Sequence, residues 1–492
     1  MNTDLYTVAQ VRALERAAVE RMGILGYVLM QRAAFAAFNF LRRRWPNAQR
    51  IVVICGSGNN GGDGYALAKL VREAGLNVQV LALASPQAGS EAAQALADWH
   101  AIGGEVLAAD AVWPQADLYV DALFGMGLSR PLEGQARAWV ERINACARPV
   151  LALDVPSGVN ADSGDVPGAA VRADATLSFI ARKRGLYTGA ATSYAGNTAL
   201  DTLGLLMEIY TNSPGDARLL DTGDLHGWLP PRPRDAHKGA FGHVLAIGGD
   251  IGMGGAIRLT GEAALRVGAG LVSVATQAEH ITALNAARPE LMAHAVAGTQ
   301  ELQALLERAN VVAIGPGIGQ RAWGHALWRA AIVAGKPLVL DADGLNLLAR
   351  ERLDLPAQTV LTPHPGEAAS LLGTDTQTIA RDRFVAVREL AKRHHATVVL
   401  KGAGSLIANP QGEVAVCAWG NPGMATGGMG DVLTGVIAGL LAQGLDAWRA
   451  AQLGVALHAQ AGDAAVDAGE AGLIASDLFE PLRRLRNEWS TA

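Results

Sequence analysis

One pattern restricts the fold of this chain more than any other. Short apolar runs of strand length, ending on glycine or aspartate, alternate with stretches of helical spacing. Residues 51–55 are apolar and run into glycines, and 65–74 then carry helical spacing. Residues 77–84 are a second strand candidate. Residues 118–120 and 150–153 are further runs, each followed at once by an acid, Asp121 and Asp154. Such alternation specifies a parallel sheet with helices on both faces. Ligands of these sheets sit at the carboxyl ends of the strands, where both aspartates fall.

The alternation breaks once. Around Tyr210 it gives way to Thr211-Asn212-Ser213-Pro214-Gly215-Asp216, which is turn chemistry, and prolines follow between Pro230 and Pro233. It then restarts: 244–247 run into Gly248-Gly249-Asp250, 311–314 into Gly315-Pro316-Gly317, 338–340 into Asp341, and 397–400 into Lys401-Gly402. A chain of 492 residues is long enough for several cores at roughly 100 to 200 residues each. We place the boundary near 211–222, giving domains 1–215 and 222–492. No internal repeat relates them, because the glycine motifs of the two halves differ in spacing.

Composition narrows the function. The 58 glycines have no G-X-Y period, which excludes collagen and points to functional glycine turns. The 41 basic and 46 acidic residues leave a net charge of −5, and neither half is basic, which argues against a nucleic-acid partner. Cys55, Cys146 and Cys417 are scattered and odd in number, so they form neither a disulfide framework nor a C-x-x-C zinc signature. A cytoplasmic setting is expected. The first residues lack a signal-peptide pattern, and the longest apolar stretch, 432–442, is shorter than the roughly 18 residues of a membrane span. No membrane partner is expected.

The strand-to-helix turn of the first half reads Gly56-Ser57-Gly58-Asn59-Asn60-Gly61-Gly62-Asp63-Gly64. Gly56, Gly58 and Gly61 satisfy G-x-G-x-x-G, whose glycines let backbone approach a pyrophosphate at a helix N-terminus. The ribose-holding acid expected about 20 residues on is missing, since that stretch reads Leu81-Ala82-Leu83-Ala84-Ser85-Pro86. A standard dehydrogenase is disfavoured. Asn59, Asn60 and Asp63 need another role, the alternative being a tight turn capped by asparagine. Asp121-Ala122-Leu123-Phe124-Gly125-Met126-Gly127-Leu128-Ser129-Arg130-Pro131 offers an acid, a hydroxyl and a guanidinium suited to phosphate. Asp154-Val155-Pro156-Ser157-Gly158 offers a second acid and hydroxyl, and either segment could be an ordinary helix cap.

In order and spacing these three segments resemble the NAD(P)H-hydrate epimerase family, over nearly all of residues 1–215. The resemblance implies a Rossmann-like three-layer α/β/α domain. It implies that Asn59 to Asp63, Gly125 to Pro131 and Asp154 contact the hydrated dinucleotide, NADHX or NADPHX. Asn60, Asp121 and Ser157 would hold K+, which oxygen ligands suit, and Asp154 would be the acid/base. In the hydrate the hydroxyl-bearing C6 adjoins the ring nitrogen. Protonating that hydroxyl lets the nitrogen lone pair expel water, and re-addition on the other face inverts the centre. One departure is Leu29-Met30-Gln31-Arg32-Ala33-Ala34, where the family shows L-M-E-x-A-G.

The second half contains no G-x-x-x-x-G-K-[ST], H-E-x-x-H or G-x-S-x-G, which removes Walker-type phosphate binding and the commonest zinc-protease and hydrolase readings. It does contain Asn421-Pro422-Gly423-Met424-Ala425-Thr426-Gly427-Gly428-Met429-Gly430-Asp431 ahead of an apolar helix. Backbone N–H groups at such a helix start make an anion hole, and the aspartate beside it can take a proton from an attacking hydroxyl. The alternative is that Asp431 merely stabilises the helix start, by about 0.3 to 1 kcal/mol.

This segment resembles the ribokinase-like superfamily, and more closely the ADP/ATP-dependent NAD(P)H-hydrate dehydratases. The likeness over 222–485 includes His237-Lys238-Gly239, Gly254-Gly255-Ala256, Gly315-Pro316-Gly317, Asp341-Ala342-Asp343-Gly344-Leu345-Asn346, Thr362-Pro363-His364-Pro365-Gly366-Glu367 and Lys401-Gly402-Ala403-Gly404-Ser405. It implies a ribokinase-like α/β domain. Ala256, Gly317, His364 and Asp431 would meet the hydrate, and Lys401, Gly402, Ala403, Gly404, Ser405 and Gly430 the adenine nucleotide. Asp431 would be the base, and ADP with Mg2+ the donor, its preference over ATP resting on resemblance alone. Glu367 either positions Mg2+ or is a solvated helix-start residue, and Asp341, Asp343 and Asn346 shape the site or cap it. His394-His395 and Arg42-Arg43-Arg44 read as solvated surface. The expectation is an epimerase followed by a nucleotide-dependent dehydratase that together repair hydrated NADH and NADPH, as a homo-oligomer. The rivals are a kinase of another alcohol and a non-catalytic dinucleotide sensor.

Overall fold

The computed structural model describes residues 3–108, 113–128 and 130–490. The chain folds as two compact units, Met1–Arg218 and Leu219–Ala492. In the first, seven strands lie in the order Val106–Leu107, Asn77–Ala82, Arg50–Cys55, Leu118–Ala122, Val150–Leu153, Ala175–Phe179, Asn197–Asp201, and all neighbours are parallel. The central strands are apolar on both faces because helices cover both: Ile51 to Cys55 and every residue of Leu118–Ala122 are buried. One apolar cluster packs helices Val8–Met22, Gly26–Arg44 and Asn59–Glu73 onto one face of this sheet, and a second gathers Trp139, Val140 and Ile143 with Val52 and Ile54 on the other.

The sheet grows in one direction for three strands and then in the other. The reversal lies between Arg50–Cys55 and Leu118–Ala122, where the helices leaving the two strands go to opposite sides and open a crevice. Asp121 lies inside its strand, opposite Ile54, rather than after it. A short ribbon of Arg182–Lys183, Asp4–Tyr6 and Ala217–Leu219 fixes the segment that follows Phe179, with Lys183 opposite Tyr6.

The second unit repeats the plan. Its strands lie in the order Met292–Ala295, Leu271–Thr276, His243–Ile247, Val311–Ile314, Leu338–Leu340, Thr359–Leu361, Thr397–Leu400, all parallel, and Ser405–Ala408 and Val414–Cys417 extend the edge antiparallel. The apolar stretch at 432–442 becomes helix Met429–Ala442, nearly all buried, against helix Gly254–Arg266. The two backbones approach so closely that a side-chain carbon at Gly435 would lie 2.0 Å from the Thr260 carbonyl oxygen. Among the described residues no single helix is long and apolar enough to cross a membrane.

Candidate active sites

At the reversal point of the first unit lies a cavity of about 880 Å³, lined by the start of helix Asn59–Glu73, by Leu123 to Leu128, and by Glu15, Asp154, Ile180 and Lys183. The glycine turn is forced by contact, since a carbon added at Gly61 would lie 1.9 Å from the Gly56 carbonyl oxygen. Gly58 is the N-cap and no side chain caps this helix. The asparagines therefore do not serve as caps. Asp154 and Ile180 hold φ of +64° and +67°, rare for residues with a Cβ and costly unless the surroundings enforce them. Both line the cavity.

The Asp154 carboxylate is held from two sides. Its Oδ1 accepts from the Phe179 backbone N–H at 3.0 Å and pairs with the Lys183 ammonium, which is wholly buried and donates a further bond of 2.8 Å to the Phe179 carbonyl. Of the other acids lining the cavity, two interact with Asp154. Burial, then Asp154 and Glu15, push the Asp63 carboxyl well above the usual range against the pull of Lys183. Burial and Asp154 raise Glu15 likewise, with Lys183, Arg12 and Arg16 opposing.

Around the turn Leu123–Gly125 sits a group of oxygen donors. Asp121 is fully buried and accepts from Ser157 N at 2.8 Å, Ser157 Oγ at 2.7 Å and Leu123 N at 3.2 Å, and burial still pushes its carboxyl up to about 6. Asn60 lies against Gly125, and both atoms of its buried amide lack a hydrogen-bond partner among the described residues. An unpaired buried amide is expensive.

In the second unit one connected group lies at the carboxyl ends of the strands. Asp341, buried, accepts from Lys401 Nζ at 2.7 Å and from Thr434 Oγ1 at 2.9 Å. Lys401 also lies 3.8 Å from the buried Glu367. The first turn of helix Met429–Ala442 rests on this pair: a carbon at Gly430 would be 3.3 Å from Lys401 Nζ and 3.5 Å from Asp341 Oδ2. Its leading N–H groups have no intrahelical acceptor. Asp431 follows at once, its carboxyl pushed up to about 7 by burial and by Asp341 while Lys401 opposes. The Asp431 carbonyl accepts from Thr260, one turn beyond Ala256, and Ala256 packs beside Gly317. His458, fully inside, donates to the Met429 carbonyl at 3.0 Å, and burial lowers its imidazole to about 4. It is a neutral brace for the helix start.

The Coxiella burnetii bifunctional NAD(P)H-hydrate repair enzyme is 50% identical over 491 residues, covering 99% of this chain and 100% of that one. The chain belongs to this family. The NAD(P)H-hydrate repair enzymes join an epimerase domain to a dehydratase domain, and each matches here: the YjeF-related protein N-terminus model over residues 26–185 and the NAD(P)H-hydrate dehydratase model over 244–484. Two solved structures match at similar depth. A ribokinase-like superfamily protein from Enterococcus faecalis is 30% identical with a TM-score of 0.52, over 56% of this chain and 98% of that one. The ADP/ATP-dependent NAD(P)H-hydrate dehydratase from Bacillus subtilis, co-crystallised with ATP and Mg2+, is 28% identical with a TM-score of 0.51, over 55% of this chain and 97% of that one.

Within this repair enzyme the fold gathers the residues singled out in the sequence, with some exceptions. Asn59, Asn60, Asp63, Gly125 to Leu128, Arg130 and Asp154 line the first cavity; Ser129 lies outside the described residues, and Pro131 is exposed beyond the lining. Ala256, Gly317 and Asp431 fall in the second group, as do Gly430 and Lys401. Gly402, Ala403 and Gly404 form the turn after Lys401, closed by a 2.9 Å bond from Ser405 Oγ to the Gly402 carbonyl. His364 caps helix Pro365–Leu372, with its Nδ1 accepting from Gly366 N at 2.9 Å. Glu367 is not solvated: it closes that capping box and is buried beside Lys401. Asp341 is a buried partner rather than a cap, while Asp343 accepts from Gly319 N and Gln320. His394 is drawn inward, where burial lowers its imidazole, so it is not surface. Sequence reasoning missed Lys183, Glu15, Thr434 and His458. Lys183 stands in Arg182-Lys183-Arg184, a run that gives no sign of burial.

Proposed function

We propose that each unit works through a lysine, wholly buried in the first unit and half-buried in the second, that acts on the charge of the acids around it. That pairing, Asp154 with Lys183 and Asp341 with Lys401 beside Asp431, is the observation that carries the reading. In the epimerase unit the hydrate binds with Asn59 to Asp63 and Gly125 to Pro131 around it, and Asp154 exchanges protons with the C6 hydroxyl. The ring nitrogen lone pair expels water, and water returning to the other face inverts the centre. The unpaired Asn60 amide and the burial-raised Asp121 support a K+ held by Asn60, Asp121 and Ser157. Such an ion supplies fixed positive charge for the oxygens of the bound dinucleotide and keeps Asp121 ionised.

In the dehydratase unit the free N–H groups from Met429 to Asp431, with Lys401, receive the terminal phosphates of ADP. Asp431 takes the proton of the C6 hydroxyl of the S form as its oxygen attacks the terminal phosphorus and AMP leaves. The new phosphate ester departs from C6 with the help of the ring nitrogen, a proton is lost from C5, and the dihydronicotinamide is restored. A carboxyl near 7 is suited to a base at neutral pH. Ala256, Gly317 and His364 contact the hydrate, and the turn Gly402 to Ser405 contacts the nucleotide. Glu367 and Asp341 are oxygen donors of the kind Mg2+ takes when it arrives with phosphates. We take ADP as the preferred donor and the assembly as a cytoplasmic homo-oligomer, the latter open to a mass measurement in solution. The test of function is purified S-NADHX with ADP or ATP, followed at the dihydronicotinamide absorbance band. Recovery with ADP supports the reading, a flat trace with both nucleotides contradicts it, and a clear preference for ATP removes the donor assignment alone.

A further inference from the structure

We infer that Asp63 is a second catalytic acid of the epimerase site, working opposite Asp154 so that one carboxyl serves each face of the substrate ring. The inference rests on the reading of Asp154 above. Inverting C6 by loss and return of water needs a proton donor where water leaves and a proton acceptor where it re-enters, on opposite faces. One rigid carboxyl cannot reach both without the ring turning over.

The first unit offers two carboxyls in different surroundings. Asp154 and Asp63 line the same cavity and come from different elements, Asp154 after strand Val150–Leu153 and Asp63 from the first turns of helix Asn59–Glu73. Asp154 is paired with the buried ammonium of Lys183 and accepts the Phe179 backbone N–H. Among the described residues the Asp63 carboxyl has no ion pair or backbone N–H of this kind, and only the more distant pull of Lys183 favours its charge. The charged groups acting on it are Asp154, Glu15 and Lys183, and the first two, together with burial, favour its acid form. Cys55, on the strand beside it, is kept neutral by its own burial. A carboxyl favoured in its acid form, in the same cavity as one that is ion-paired to an ammonium, is an arrangement that divides acid and base roles.

The step balances without a further reactant. The Asp63 carboxyl gives its proton to the C6 hydroxyl, the C6–O bond breaks with its electrons, and water leaves as the nitrogen lone pair forms the C–N π bond. Water then attacks the other face, that π pair returns to nitrogen, and the Asp154 carboxylate takes the proton. The opposite direction uses the same groups with roles exchanged.

The test uses the full chain and follows interconversion of R- and S-NADHX, with ADP-dependent dehydration of the S form as an internal control. Asp63→Asn is expected to cut kcat for epimerisation by about 100-fold or more with KM little changed and dehydration intact. The residual activity is expected to lose the descending, high-pH limb of the wild-type profile. Asp63→Glu, which keeps a carboxylic acid, is expected to regain much of the rate, which separates chemistry from misfolding. An Asn variant within a few-fold of wild type, or equal loss in the Glu and Asn variants, overturns the role of Asp63. Asp154→Asn reports separately: full activity there removes the parent reading, whereas loss in Asp154→Asn without loss in Asp63→Asn removes only the second acid.

Discussion

At the scale of single residues, the chemistry of this enzyme is set by how burial and neighbouring charge distribute protons. Asp431 is the plainest case, with a folded value of about 7 against an ordinary value near 4. With its ionised form as the proposed base, kcat/KM for dehydration is expected to climb about tenfold per pH unit below 7 and level off above it. The same shift contributes stability that is fully present below about pH 4 and is lost as pH rises through about 7. Asp431→Asn is expected to remove both dependences, checked by a pH–rate profile and by urea midpoints at acid and neutral pH. Lys183 gives the complementary case. Lys183→Met leaves Asp154 buried without its cation, and the expected loss is about 3 to 5 kcal/mol in chemical unfolding of the first unit. Adding Asp154→Asn is expected to restore part of that loss. Asp121, Asp154 and Asp341 were legible in the sequence because each follows an apolar run of strand length. Lys183 was not, because a lysine between two arginines reads as solvated until a neighbouring ribbon is known to fold over it.

Secondary-structure elements show the other side of legibility. The strands could be read from their apolar runs, but the shared strand order of the two units could not. That order depends on which strand pairs with which, and the loops that carry it differ in length and motif between the halves. In the sequence, 432–442 reads as an apolar stretch too short to span a membrane, with no reason given by its neighbours for the glycines inside it. Gly435 is there for packing, since its Cα faces the Thr260 carbonyl across the contact with helix Gly254–Arg266. Gly435→Val inserts a side chain where there is no room. Overpacking of this kind costs about 1 to 3 kcal/mol, and here it also displaces the helix that aims Asp431. The expected outcome is a lower unfolding midpoint for the second unit and a loss of dehydration, with epimerisation unchanged in the same sample.

For the whole molecule, each unit carries its own core, built from residues of that unit alone. Residues Ala217 and Arg218 pair with Leu5 and Asp4, so a first fragment must extend to 218 to keep its ribbon. Fragments 1–218 and 219–492 are each expected to fold and to retain one activity, checked by circular dichroism and the two assays; insolubility of both would oppose independent folding. The central claim is that two separate carboxylate sites, one per unit, complete the repair in sequence. It is tested most directly by giving an R and S mixture of NADHX with ADP to Asp154→Ala, to Asp431→Ala, and to the two variants mixed. The account predicts that Asp154→Ala restores only the S fraction, that Asp431→Ala restores almost none, and that the mixture restores nearly all of the dihydronicotinamide absorbance. Full recovery by Asp154→Ala alone at the wild-type rate, or failure of the mixture to exceed the S fraction, would contradict it.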